Sequence, residues 1–158
     1  MAMENMDTPT ALIFSRQNVK SLPEGTDYQQ TRKGAYVVTG SDEQFDVILV
    51  ASGSEVSTCV AGAELLRKDG VKVRVVSAPS EGLFRRQSKE YQEQILPRDA
   101  KIFGLTAGLP VTLEGLVGAN GKVFGLNSFG FSAPYTVLDE KLGFTPENVY
   151  KQVKAFLA

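Results

Sequence analysis

The chemistry open to this chain is narrowed first by the absence of histidine from all 158 residues. Histidine is the only side chain whose unperturbed pKa lies between about 5 and 8, and it is the commonest metal ligand. The sequence therefore excludes Ser-His-Asp sites, Cys-His sites and metal sites built on imidazole. A carboxylate or a lysine with a shifted pKa remains as an acid or base, but the sequence identifies none.

Gly53 stands where a phosphate-binding turn would be expected, between the apolar run Val47–Ala51 and a helical pattern. A helix N-terminus can bind phosphate through its free amides. The dinucleotide fingerprint, however, needs three glycines at set spacing, and Glu55 would repel an anion. We interpret the turn as an ordinary helix start in which Ser52 and Glu55 form a capping box. Gly70 is placed to end this helix in a left-handed conformation.

Cys59 is the only cysteine and lies inside the same helical pattern. No basic residue adjoins it in sequence, so the pattern predicts a small buried side chain and not a reactive thiol. A single cysteine cannot form an internal disulfide. With no signal peptide and no apolar run of about 18 residues, the expected location is the cytoplasm.

Two further segments allow a binding interpretation beside a structural one. Residues 129–134 place aromatic side chains around Gly130, which is typical either of a pocket lining or of a packed strand-to-helix connection. Residues 81–86 end in Arg85 and Arg86, which either hold an anion or lie on a solvated surface. We favour the structural interpretation of both segments.

The charge balance gives no sign of a polyanionic partner. Seventeen basic and eighteen acidic residues leave a net charge of −1, with neither sign collected into a block. The chain is therefore expected to bind no nucleic acid and no membrane. Its length suits a single domain with one hydrophobic core.

The order of apolar runs and amphipathic patterns predicts an α/β fold. Strands are expected at residues 35–38, 47–51, 71–77, 101–105 and 122–126, with helices between and after them. This alternation indicates a three-layer α/β/α sandwich with a mostly parallel sheet of about five strands. The short turn at residues 39–44 predicts that the first strand runs antiparallel beside Val47–Ala51, at an edge. Thr145-Pro146 is expected to start the last helix.

Several short motifs, in order and at suitable spacing, resemble the C-terminal part of transketolases. The match extends over almost the whole chain after about residue 9. It is carried by Ser15-Arg16-Gln17, residues 46–55, residues 75–80, Phe84, Tyr91, Ile95-Leu96-Pro97, Asn120-Gly121, Phe129-Gly130, Ser132-Ala133-Pro134 and residues 142–145. Each motif is common by itself, whereas the ordered set is specific.

This resemblance implies a domain organisation and a fold. Residues 1–17 would be a remnant of the preceding, pyrimidine-binding domain or an added start, residues 18–33 a linker, and residues 34–158 the transketolase C-terminal domain. The family's third domain is a mixed five-stranded α/β/α module, mostly parallel with one antiparallel edge strand. The layout derived above from the residue pattern agrees with it.

The resemblance also implies an activity that this chain cannot perform alone. Transketolases transfer a two-carbon ketol unit between sugar phosphates, using thiamine diphosphate and a divalent metal (Mg or Ca) bound between two earlier domains at a dimer interface. The metal motif, the activating glutamate and the catalytic histidines of the family have no counterparts here. The chain is therefore expected to be a structural, dimer-supporting part of a homodimeric enzyme. By itself it should be inactive and bind no cofactor or metal.

Arg16 is the one functional residue that the resemblance transfers to this chain. In the family, the arginine of the serine-arginine-glutamine turn binds the phosphate of the sugar substrate, a task that suits the donor fork of a guanidinium. Without the family's other substrate-binding residues, Arg16 is expected to be exposed and without function in this chain alone.

The sequence departs from the family at Thr106-Ala107-Gly108, where a glutamate usually precedes the alanine. That change affects any dimer contact made by the loop.

Two other functions remain open at this point. The first is a separately encoded binding or assembly subunit with the same fold, as in a split transketolase or a related thiamine-diphosphate enzyme. The second is a small-ligand or nucleotide-binding enzyme, which would depend on Gly53.

Overall fold

A computed structural model describes residues 2–40 and 44–158 of the chain. Within these residues, strands and α-helices alternate along the sequence. The strands are β1 (Tyr36–Thr39), β2 (Val47–Ala51), β3 (Val73–Ser77), β4 (Ile102–Leu105) and β5 (Lys122–Phe124). The α-helices are α1 (Glu55–Lys68), α2 (Glu81–Arg85), α3 (Lys89–Ile95), α4 (Val111–Val117), α5 (Tyr135–Leu142) and α6 (Pro146–Leu157). Two short 3-10 helices, Ala2–Glu4 and Tyr28–Lys33, precede β1.

The strands form one mixed sheet with the spatial order β1-β3-β2-β4-β5. Strands β2 to β5 are parallel, and β1 is antiparallel at one edge, which confirms the predicted sheet. The predicted neighbour of β1 is wrong, because β1 pairs with β3 and Tyr36 lies opposite Ser77. Both sides of β2 are already occupied by β3 and β4. The turn on which that prediction depended includes residues 41–43, which lie outside the described residues.

Strand β2 occupies the centre because all of its side chains are apolar and buried. Such a strand suits a parallel sheet with helices on both faces. Its alternate side chains enter two separate cores. Val47 and Leu49 pack with α1 and α6, whereas Ile48 and Val50 pack with α2, α3 and α4. The predicted three-layer sandwich follows from this division.

Helices α1 and α6 cover one face of the sheet and approach each other closely at Gly62. A Cβ atom added at Gly62 would lie 2.8 Å from Val149 Cγ1, so the approach of the two helices needs glycine there. Leu66 is fully buried in the same layer. Thr145 caps α6 as predicted, because its side chain accepts a hydrogen bond from the Asn148 amide.

The start of α1 differs from the prediction. The helix begins at Glu55, with Ser54 as the N-cap residue and no side-chain cap, so the predicted Ser52 and Glu55 capping box is wrong. Ser54 Oγ donates a hydrogen bond to Glu55 Oε1 (2.8 Å) instead, and the Glu55 carboxylate turns towards the loop after β4. The end of α1 is as predicted, with Gly70 in the left-handed conformation (φ 78°).

Candidate functional site

The loops that follow the parallel strands meet at the carboxyl end of the sheet, which is where open α/β sheets bind ligands. The chain reverses its direction across the sheet at β2, since β3 lies on one side of β2 and β4 on the other. The Gly53 turn after β2 and loop 106–110 after β4 therefore flank a crevice. The loop is in turn joined to the chain after β5 by a hydrogen bond from the Leu126 amide to the Gly108 carbonyl (2.9 Å).

The Glu55 carboxylate occupies this crevice. It accepts hydrogen bonds from Ser54 Oγ (2.8 Å) and from the Ala107 amide, and so joins the start of α1 to the loop after β4. Burial raises the pKa of Glu55, and the nearby Asp139 carboxyl in α5 raises it further, while the hydrogen bonds act in the opposite direction. Burial also raises the pKa of Asp139. Because the chain's own carboxylate fills this position, the geometry gives no support to nucleotide binding at Gly53.

Residues 9–17 cross this end of the sheet without regular secondary structure. Residues 9–11 lie beside the start of α2, and Ser15 lies against the Gly53 turn. Ser15 Oγ is 3.2 Å from the position that a Cβ atom at Gly53 would occupy. Residues 12–14, between these two contacts, are exposed.

Arg16 is exposed and lines a groove of about 600 Å³. Gln17 lines the same groove, and residues 131–135 and Leu138, at the start of α5, form its other wall. The described residues of this lining include one cation and no carboxylate. The groove is therefore electrostatically suited to an anion.

The connection from β5 to α5 exposes its aromatic side chains. Phe129 is 98% exposed and Phe131 is 65% exposed. The segment does join a strand to a helix, but the prediction that its rings are packed is wrong. Together with exposed side chains near the starts of α4 and α5, these rings form what we call the carboxyl-end surface. Its members are Leu109, Val111, Phe129, Phe131, Tyr135 and Val137.

Arg85 and Arg86 lie at the end of α2, on the protein surface. Arg85 Nε donates a hydrogen bond to Glu81 Oε1 (2.7 Å), and a terminal nitrogen of Arg85 donates to the Gly115 carbonyl (2.9 Å). Arg86 is exposed. Since the donors of Arg85 are directed at the protein itself, the geometry favours the solvated-surface interpretation over an anion site.

Cys59 is fully buried, as predicted, and burial raises the pKa of its thiol far above the ordinary value. A thiol that stays protonated is inert.

Among the described residues, no three metal-binding side chains come close enough together to hold a metal ion. In the same part of the chain, no helix combines the length and the apolar character needed to cross a membrane.

Sequence reasoning missed Asp139 and the contact between Ser15 and Gly53. The available signal was Glu55 itself, an acidic residue in the first turn of a helix directly after a buried strand. Nothing in the local pattern of α5 distinguishes Asp139 from an ordinary solvated residue, because its environment depends on where α5 lies relative to α1.

Comparison with known proteins places this architecture in a family. Residues 34–145 match the model of the transketolase-like C-terminal domain. The chain belongs to the transketolase-like C-terminal domain family. The transketolase of Staphylococcus epidermidis is 44% identical over 158 residues, and the match covers 98% of this chain and 24% of that protein. The chain thus spans about a quarter of the length of the curated relatives that it matches.

Solved structures give the same result. The Pichia stipitis transketolase in complex with sedoheptulose 7-phosphate superposes with a TM-score of 0.82 at 32% identity, over 90% of this chain and 20% of that chain. A split-gene transketolase, an inactive beta4 tetramer, has a TM-score of 0.64 at 20% identity, over 90% of this chain and 48% of that chain. The second likeness shows the fold alone. These findings confirm the predicted family and the predicted transketolase C-terminal fold.

Proposed function

We propose that this chain is the C-terminal domain of a transketolase, which moves a two-carbon ketol unit between sugar phosphates, and that its own role is structural. The observation that carries the proposal is the family match of residues 34–145 in a chain that spans 24% of its transketolase relatives. Catalysis then belongs to the parent enzyme, in the pentose phosphate pathway of the cytoplasm.

Thiamine diphosphate and its divalent metal, Mg or Ca, would be bound by residues outside this chain. The residues present do not fit the metal, because Mg and Ca take oxygen ligands and the described part of the chain has no cluster of metal-binding side chains that includes carboxylates. This division leaves the cofactor chemistry to other domains and gives this domain a supporting role.

The supporting role depends on the carboxyl-end surface. Its side chains are large and apolar, and their exposed fractions range from 38% for Val137 to 98% for Phe129. Large apolar side chains that are exposed at one end of a domain are typical of a surface that packs against another protein. We propose that this surface packs against the preceding domains of the same enzyme and supports a homodimer. Residues 12–14, which cross the same end of the sheet, would be covered by the same contact.

Arg16 is proposed to bind the phosphate of the sugar substrate in the assembled enzyme. Its side chain is exposed and lines a groove whose described lining has no carboxylate. The planar fork of guanidinium donors matches phosphate oxygens, which supports this assignment.

A chimera tests the structural role. This chain replaces the aligned quarter of the Staphylococcus epidermidis transketolase. The chimera should carry out ketol transfer and bind thiamine diphosphate by calorimetry, whereas the 158-residue chain alone should do neither. Ketol transfer or cofactor binding by the chain alone would contradict the proposal.

The same chimera tests Arg16. Arg16→Leu should raise KM for a sugar phosphate by about tenfold or more, because a charge-assisted contact is lost, and should leave KM for the unphosphorylated sugar unchanged. Arg86→Leu removes an exposed arginine from the end of α2 and is the matched control. Equal effects of the two substitutions would contradict the assignment.

A further inference from the structure

We infer that this domain positions Arg16, and that Gly53 is the positioning residue against which the Ser15-Arg16-Gln17 segment rests. The inference deepens the phosphate-binding role proposed above and rests on it. Gly53 would then affect the affinity for sugar phosphates without contacting the substrate.

The residues on both sides of Arg16 lie against the domain, while Arg16 itself stays exposed. On one side, Ser15 lies against Gly53. On the other side, Gln17 lines both the groove at the start of α5 and a second groove of about 640 Å³ along α1. Gln17 is the only half-buried residue between positions 11 and 20. A segment that rests on the domain on both sides of an arginine limits the directions in which the guanidinium can point, which favours a bidentate contact.

Gly53 suits this role because it has no side chain and a left-handed backbone (φ 61°). A Cβ atom there would meet Ser15 Oγ at 3.2 Å and no other described atom beyond its chain neighbours within 4 Å. The turn itself cannot easily retreat, since Ala51 before it and Val56 after it are buried in a close-packed core. A side chain at position 53 would therefore require Ser15 Oγ to move by a few tenths of an ångström, and we expect this adjustment to shift the backbone that carries Arg16.

Gly70 provides a matched control at the opposite end of α1. It also has a left-handed backbone (φ 78°), but a Cβ atom at Gly70 meets nothing within 4 Å. Gly53→Ala and Gly70→Ala should impose a similar backbone penalty. They differ in the contact with Ser15, so any difference between them in residues 15–17 reports that contact.

Nitrogen-15 relaxation of the 158-residue chain measures this contact without any substrate. In the unsubstituted chain and in Gly70→Ala, the amide order parameters of residues 15–17 should approach about 0.85, the value of rigid backbone. In Gly53→Ala they should fall below about 0.6. The double variant Ser15→Ala/Gly53→Ala, which removes the crowded hydroxyl, should restore them. Equal order parameters in the two glycine variants would overturn the inference.

Kinetics of the chimera test the consequence for substrate binding. Gly53→Ala should raise KM for a sugar phosphate by about tenfold with little change in kcat, because the guanidinium is misplaced. KM for the unphosphorylated sugar should not change, and Gly70→Ala should behave like the unsubstituted chimera.

The outcomes separate the two proposals. If Arg16→Leu leaves KM for the sugar phosphate unchanged, the phosphate-binding role fails and the positioning role fails with it. If Arg16→Leu raises KM but Gly53→Ala behaves like Gly70→Ala, only the positioning role is overturned.

Discussion

The two ends of the sheet meet their surroundings in different ways. At the amino end, polar side chains join the ends of helices and strands: Asp69 accepts hydrogen bonds from the Tyr150 hydroxyl (2.6 Å) and from Lys154 Nζ (3.1 Å). Lys101 Nζ donates to the Leu157 carbonyl (3.4 Å) at the same end. At the carboxyl end, the loops expose large apolar side chains. The amino end is thus suited to water, and the carboxyl end is suited to another protein surface.

A carboxylate at each end shows the same difference in its electrostatics. Asp69 has its pKa lowered, chiefly by the hydrogen bond from Tyr150 and then by Lys154. Glu55 has its pKa raised, chiefly by burial. The two ends should therefore respond to acid in opposite directions.

The largest expected effect is on the free energy of unfolding, and it follows from the difference in burial between the α1 layer and the carboxyl-end surface. Leu66 is fully buried in α1, so Leu66→Ala should lower the free energy of unfolding by about 2–5 kcal/mol. Phe129 is 98% exposed, so Phe129→Ala should change it by less than about 0.5 kcal/mol. Urea unfolding followed by circular dichroism measures both. Similar losses in the two variants would remove the distinction between the packed layer and the carboxyl-end surface.

The next largest effect on stability is expected from substituting one of two helical glycines. Gly62→Ala would place a Cβ atom 2.8 Å from Val149 Cγ1, and overpacking of this kind costs about 1–3 kcal/mol. Gly82, in the first turn of α2, has nothing within 4 Å of its added Cβ atom. Gly82→Ala should therefore be neutral or stabilise the fold by up to about 1 kcal/mol, through helix propensity. Urea unfolding measures both variants. A Gly62→Ala variant as stable as the unsubstituted chain would show that α1 and α6 are loosely packed.

At the amino end, Asp69 predicts a loss of stability in acid. A carboxyl with a lowered pKa stabilises the fold above its unfolded value of 3.8, and this contribution disappears as the pH falls through the folded pKa. Asp69→Asn should therefore lower the unfolding temperature at pH 7 and have little effect in strong acid. Thermal unfolding across this range checks the prediction, and a difference that does not depend on pH would contradict it.

At the carboxyl end, Glu55 should have the smallest effect on stability, and its pH dependence should be opposite to that of Asp69. A carboxyl with a raised pKa destabilises the fold above its folded pKa, and the penalty is relieved as the pH falls towards the unfolded value of 4.5. Glu55→Gln removes this titration. The free energy of unfolding of Glu55→Gln, minus that of the unsubstituted chain, should therefore be larger at pH 7 than at pH 4.5. If the relative stability changes in the opposite direction, Glu55 does not carry a burial penalty.

The strands could be predicted from local patterns. Val47–Ala51 is a continuous apolar run, and Val71, Val73 and Val75 alternate with Lys72 and Arg74. The partner of β1 could not be predicted, because it depends on which side of the sheet remains free after the crossovers. The exposure of Phe129 could not be predicted either, since aromatic side chains beside glycine occur both in packed connections and in docking surfaces. Arg16 was found through the family resemblance, whereas its contacts required the three-dimensional arrangement.

The most direct test of the carboxyl-end surface is binding in trans. The 158-residue chain is titrated calorimetrically with the remaining three quarters of the Staphylococcus epidermidis transketolase. We expect saturable binding that Phe129→Ser/Phe131→Ser weakens by about tenfold or more. Tyr28→Ser, at an exposed aromatic residue near the opposite edge of the sheet, should leave it unchanged. No binding, or equally tight binding by the double variant, would contradict a docking role for this surface.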